Sequence, residues 1–170
     1  MRAFFDSNVL VYALASDNDL RRETALQLIA HHASHRSLVL SPQVLLETYN
    51  VLTRKKGVAP AAALAALRLL ARHEVVAPGA AATMKALTLS AEHQLSPWDA
   101  FIVQAALEGG CDTLFSEDLQ AGRRFGALEV VNPFVAQAHE QAAGAGWPAA
   151  AKTRSARAPA KPPRARAARK

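Results

Sequence analysis

The stretch Ala3-Phe4-Phe5-Asp6-Ser7-Asn8-Val9-Leu10-Val11 sets one acid and two small polar residues between an apolar triplet and a second apolar run. Ala3 to Phe5 reads as a short buried strand and Val9 to Ala15 as a helix, so Asp6 stands at the joint between them. An acid there has two readings. It caps the helix by accepting a backbone N–H, or, if the strand belongs to a parallel sheet, it occupies the carboxyl edge where open α/β folds place their ligands.

Working outward, apolar runs bounded by turn residues alternate with helical patterns, which points to βαβ units and a parallel sheet. Ser37 to Leu40, Val75 to Val76, Thr113 to Phe115 and Leu128 to Val131 read as further strands. Asp19 to His32, Gln43 to Lys56, Pro60 to His73, Ala80 to Gln94 and Pro97 to Glu108 read as helices, with Gly57 and Gly109-Gly110 as stops. Leu64, Leu67 and Leu70 form one face of an alanine-rich helix and are expected to pack or to form a dimer surface.

Three more acids fall at comparable places. Glu47 lies inside the helix Gln43 to Lys56, beside Val44 and Val51 at about 100° per residue, where capping does not explain it. Asp99 belongs to Ser96-Pro97-Trp98-Asp99, which reads as a capping box with proline at the first helical position. A first-turn carboxylate is also held ionised by the helix dipole, so capping and cation binding are compatible. Asp118 follows the strand Thr113 to Phe115 and Ser116, with Glu117 beside it; the choice between these two carboxylates stays open. Asp112 reads as a turn residue, and Trp98, a lone aromatic after proline, is expected to pack rather than to serve as a base-stacking platform.

Other constellations carry less. His31, His32 and His35 include an i, i+4 pair able to share a metal, set against the reading of a solvated helix end. No glycine-rich phosphate loop is present, and Ser7 and Ser96 lack the G-x-S-x-G elbow of a hydrolase nucleophile.

Length and an apolar fraction of 51% suit one globular domain, with the domain proper at residues 1–140. The opening run is too short and too polar for a secretory or spanning segment, and a single cysteine, Cys111, excludes an intrachain disulfide; a cytoplasmic protein is expected. Cys111 is expected to be a small buried apolar residue. The net charge of +6 divides unevenly: eight of the basic side chains lie in residues 152–170 without one acid, leaving 12 basic against 14 acidic residues, a net −2, in the rest. Residues 141–170, rich in Ala, Pro, Lys and Arg, are expected to be disordered. Such a polycation either attracts nucleic acid through counterion release or is solvated without a role.

The segments FFDSNVLVYA, ETYNVL, SPWDAFIVQAA and LFSEDLQAG, followed by LEVVNPF, resemble the PIN domain, particularly the bacterial VapC-type toxins, over residues 1 to about 136. The resemblance implies a three-layer α/β/α fold with a central parallel sheet of order 3-2-1-4-5. It implies Asp6, Glu47, Asp99 and Asp118 as catalytic metal ligands, with Glu117 secondary and Ser116, Ser7 and Asn8 in support. Mg²⁺ or Mn²⁺ as cofactor, endonucleolytic cleavage of RNA, a homodimer and a partner antitoxin follow from the same resemblance. Hard oxygen donors without His or Cys suit those ions. Arg123 and Arg124 are candidates for contact with RNA phosphates, set against a solvated surface pair.

Rival classes fare worse. A haloacid-dehalogenase-type phosphatase wants a second aspartate where Asn8 stands, and a receiver domain wants paired acids and a late lysine that are not evident. The serious alternative is a catalytically inactive PIN-like module that binds RNA or protein, against which the intact four-acid set argues.

Overall fold

The computed structural model describes residues 1–15 and 20–135. A six-stranded sheet runs in the order β3-β2-β1-β4-β6-β5. Its strands are β1 (Ala3–Phe5), β2 (Leu38–Leu40), β3 (Glu74–Val75), β4 (Thr113–Phe115), β5 (Arg124–Phe125) and β6 (Leu128–Val131). All neighbours pair in parallel except β5 and β6. The helices are α1 (Ser7–Leu14), α2 (Arg21–Ser34), α3 (Pro42–Arg54), α4 (Pro60–Leu70), α5 (Ala80–His93) and α6 (Pro97–Glu108).

Every residue of β1 and β2 is buried, so both faces of the sheet centre are covered, as parallel sheets require. Helices do the covering in two groups: α1 packs on α2 and α3, α3 packs on α4, and α5 packs on α6. The core is built from Phe4, Phe5, Leu38, Leu40, Leu114 and Leu128 of the strands with Leu10 and Val103 from the helices. Cys111 joins it at 5% exposure, as a small apolar residue would.

Local chemistry sets where the elements begin. Asp6 caps α1 directly, so that helix starts at Ser7, two residues before the hydrophobic pattern predicts. Ser41 and Ser96 cap α3 and α6, each followed by proline at the first helical position. The expected order 3-2-1-4-5 holds for the first five strands from the β3 edge, with Leu128–Val131 as the fifth. The additional strand β5 closes an antiparallel hairpin onto it through Gly126, whose φ of 62° is a glycine conformation. The α4 helix stops at Leu70 rather than His73, because the Arg72 and His73 N–H groups bond three residues back and tighten the chain into a turn.

The α2 helix is described from Arg21; the expected start at Asp19, and the whole of the expected disordered segment 141–170, lie outside the described residues. Among the described residues no helix is long and apolar enough to cross a membrane.

Candidate active site

Asp6 and Asp118 reach one edge of the sheet because β1 and β4 are parallel neighbours in the register Phe5↔Phe115. The Asp6 N–H donates to the Phe115 carbonyl at 3.0 Å, which fixes the residue past the strand end. Its carboxylate is 5% exposed and takes three hydrogen bonds: from Ser7 N (2.6 Å) to Oδ1, and from Ser116 Oγ (2.7 Å) and Asn8 Nδ2 (3.3 Å) to Oδ2. The capping and edge readings of Asp6 therefore coexist in one side chain.

Burial pushes the Asp6 carboxyl up to about 6. Hydrogen bonds from Ser116 and Ser7 oppose the rise, while the negative charges of Asp118 and Glu47 add to it. Two further carboxylates thus act on a buried one.

Asn8 joins Asp6 to Asp118. The same Nδ2 that reaches Asp6 lies 3.2 Å from Asp118 Oδ2, and Asn8 Oδ1 accepts from Glu117 N at 3.4 Å. One amide thus stands between two acids and holds the turn after β4. Glu117 has other partners: Oε2 accepts from the Tyr12 hydroxyl at 2.5 Å and Oε1 from Arg21 Nη1 at 2.9 Å. The Arg21 guanidinium also lies 4.1 Å from the centre of the Tyr12 ring. Both Glu117 oxygens are committed to that cluster, whereas Asp118 is exposed and shares Asn8 with Asp6.

Glu47 stands on α3, near enough for its charge to act on Asp6, and Asp99 stands in the first turn of α6. Gln43, one turn before Glu47, donates from Nε2 to Glu47 Oε1 (3.2 Å) and to the Trp98 carbonyl (3.4 Å), linking the two helices next to Asp99. Asp99 completes the expected box: its N–H donates to Ser96 Oγ at 3.1 Å, and Ser96 Oγ donates to Asp99 Oδ2 at 2.8 Å. Sequence reasoning passed over Gln43, Tyr12 and Arg21. The spacing of Gln43 from Glu47 was visible, but its reach to α6 and the convergence of Tyr12 and Arg21 on Glu117 depend on tertiary packing.

Among the described residues no three His, Cys, Asp or Glu side chains stand as a closed cluster able to hold a metal ion. The donor chemistry nonetheless fits a hard divalent cation: the acids offer only oxygen, and Asp6 is a buried carboxyl in the field of two others. Like charges so close disfavour one another's ionised form, which a bound cation would offset.

The remaining expectations divide. Arg123 donates to the His93 carbonyl at 2.5 Å and lies over the Phe125 ring, and Arg124 pairs with Glu129, so both have partners within the fold. His32 is not part of a solvated helix end: it is 8% exposed, lies 2.8 Å from the Ser37 hydroxyl and packs against Phe5 and Phe115. His31 and His35 remain exposed. Leu67 and Leu70 are buried whereas Leu64 is 44% exposed, and Trp98, expected to pack, is 71% exposed.

Fold and site define a class: an α/β domain with Asp6 and Asp118 brought to the carboxyl edge of a parallel sheet. The sequence matches the PIN domain over residues 3–124, and the chain belongs to that family. Among solved structures it is similar to the sarcin-ricin-loop-cleaving toxin VapC20 of Mycobacterium tuberculosis, at 26% identity and a TM-score of 0.57, covering 68% of this chain and 91% of that one. It shares its fold with a toxin–antitoxin complex from Klebsiella pneumoniae, at 20% identity and a TM-score of 0.58 over 77% of this chain and 97% of the other. VapBC2 of Rickettsia felis, bound to a DNA fragment from its promoter, has the same identity and TM-score over 78% and 98%. No curated protein matches the sequence.

Proposed function

We propose that the chain is a divalent-metal-dependent endoribonuclease and the toxin of a toxin–antitoxin pair. The observation that carries this reading is the placement of Asp6 at the end of β1, a 5% exposed carboxylate that shares the Asn8 amide with Asp118 past the end of the neighbouring strand. Membership of the PIN family, and likeness to a toxin that cleaves the sarcin-ricin loop, support nuclease activity.

Asp6, Glu47, Asp99 and Asp118 would hold Mg²⁺ or Mn²⁺. A divalent ion bound there supplies an activated water for in-line attack on phosphorus and charge stabilisation for the leaving 3′ oxygen. The chain's own residues prepare the place. Ser116 and the Ser7 N–H hold the Asp6 carboxylate in one orientation, Asn8 sets the gap to Asp118, and Gln43 holds Glu47 against the start of α6. Glu117 serves by anchoring the Asp118 turn through Tyr12 and Arg21. Cleavage products carry 5′ phosphate and 3′ hydroxyl ends.

Two structural neighbours are complexes with antitoxins or their promoter DNA, which supports a partner antitoxin; a homodimer follows from the resemblance to VapC-type proteins. The basic run at residues 152–170 adds sequence-independent attraction to RNA, which deletion of residues 147–170 tests by its effect on the salt dependence of binding. The reading as a whole is tested by incubating total RNA with the protein in Mg²⁺ and in EDTA: cleavage confined to Mg²⁺ supports it, and equal cleavage in EDTA refutes it.

A further inference from the structure

Arg2 and Ser37 stand just before β1 and β2, whereas Asp6 follows β1, so in these parallel strands they mark the edge of the sheet opposite the acids. A cavity of about 510 Å³ opens at that edge, within the range of small-ligand sites. Apart from Met1 its walls are Arg2, His31, His32, His35, Arg36 and Ser37, and none is an acid. Its buried part is already fixed: His32 and Ser37, each 8% exposed, are bonded to one another at 2.8 Å. The exposed part is not. The His31 and His35 rings lie 4.5 Å apart, and His35 Nδ1 sits 2.8 Å from the His31 carbonyl, an acceptor, so its proton is on Nδ1. The Arg2 guanidinium is taken by Glu74, but the Arg36 side chain has no hydrogen bond or ion pair among the described residues. Burial first, and then the charge of His31, push the His32 ring toward its neutral form against the pull of Asp112, as a gathering of cations would.

We propose that this cavity is a binding site for a phosphate group, taken by the Arg36 guanidinium together with the His31 and His35 rings. A guanidinium fork matches two phosphate oxygens at once, and charged imidazoles add further donors. Arg36 holds its place at a backbone cost: its φ is 52°, directly after the His35 cap of α2, where helix ends favour glycine. A cation there gains from the helix dipole. That gain does not account for a cavity whose walls gather two imidazoles beside the same arginine in a body of net −2. The phosphate is carried by a free phosphorylated small molecule or by a nucleic-acid chain, and the size of the cavity suits the first. The site is separate from the acids and stands whether or not they cleave RNA.

The test uses the full chain in EDTA, with the His31 and His35 ring resonances followed by NMR during titration with pyrophosphate, with single-stranded oligo-U, or with sodium chloride at matched ionic strength. Saturating shifts of both rings are expected with pyrophosphate. Arg36→Gly is expected to raise that Kd at least about tenfold, and Arg36→Lys less, since a point charge replaces the fork. Glycine suits a φ of 52°, so thermal unfolding of Arg36→Gly should stay close to wild type, which separates loss of ligand from loss of fold. Shifts with oligo-U alone, lost in Arg36→Gly, keep the site and assign its phosphate to a nucleic-acid chain. Shifts that chloride reproduces, no shift with either phosphate source, or an unchanged Kd in Arg36→Gly overturn it.

Discussion

The Ser116 hydroxyl donates to Asp6 Oδ2 at 2.7 Å, joining the ends of two neighbouring parallel strands through a pair of buried side chains. Ser116 Oγ also accepts from Leu119 N at 3.3 Å, so the same hydroxyl holds the turn that carries Asp118. Ser116→Ala removes both contacts. It should cost about 1–3 kcal/mol of stability and raise the Asp6 carboxyl further, since the lost bond favours the ionised form. Denaturant unfolding and an NMR titration of the Asp6 carboxyl check the two effects separately.

Stability of the metal-free protein should depend on pH through Asp6. Its folded carboxyl, at about 6, binds a proton more tightly than the unfolded value of 3.8. The native state is therefore favoured by protonation: that contribution is complete below the unfolded value and is lost as pH rises through about 6. The loss is on the order of 3 kcal/mol. Asp6→Asn should flatten this window, and saturating Mn²⁺ should restore stability to the wild type above it. Urea unfolding across the window, with and without Mn²⁺, measures both; a wild-type profile that parallels Asp6→Asn contradicts the assignment.

Asp118 and Glu117 should separate cleanly. Asp118→Asn is expected to weaken Mn²⁺ binding at least about tenfold with little change in stability, because its carboxylate is exposed and contacts Asn8. Glu117→Gln loses the ion pair to Arg21 and should cost about 0.5–1.5 kcal/mol while leaving Mn²⁺ affinity within a few-fold. Calorimetric titration with Mn²⁺ and thermal unfolding of both variants decide the matter; reversed effects would make Glu117 the ligand.

Much of this was legible in the chain because the signals were local. The triplets Ala3–Phe5 and Thr113–Phe115 and the run Leu128–Val131 are mostly apolar, β-forming stretches set off by turn or polar residues, and each is a strand with those bounds. The Ser96-Pro97 start of α6 is local chemistry too. The strand Arg124–Phe125 escaped because two residues carry no periodicity; only the turn at Gly126 makes it a partner of β6. At the site, the acids could be found from their positions after strands and on helix faces. Their separators could not: Asn8 bridging Asp6 to Asp118 spans 110 positions, and Arg21 reaching Glu117 spans 96. Trp98, expected to pack, is 71% exposed in the single chain and lines the groove between α3, α5 and α6, a placement set by tertiary structure.

The central claim is that the acids of this cleft cleave RNA with a divalent cation, and one comparison tests it most directly. Wild type, Asp6→Asn and Asp99→Asn are incubated with total RNA in Mg²⁺ or EDTA, and the product ends are mapped. The account predicts cleavage by the wild type in Mg²⁺ alone, 5′ phosphate and 3′ hydroxyl ends, and a loss of rate of at least about a hundredfold in both folded variants. Cyclic phosphate ends, or full activity in EDTA or in either variant, would contradict it.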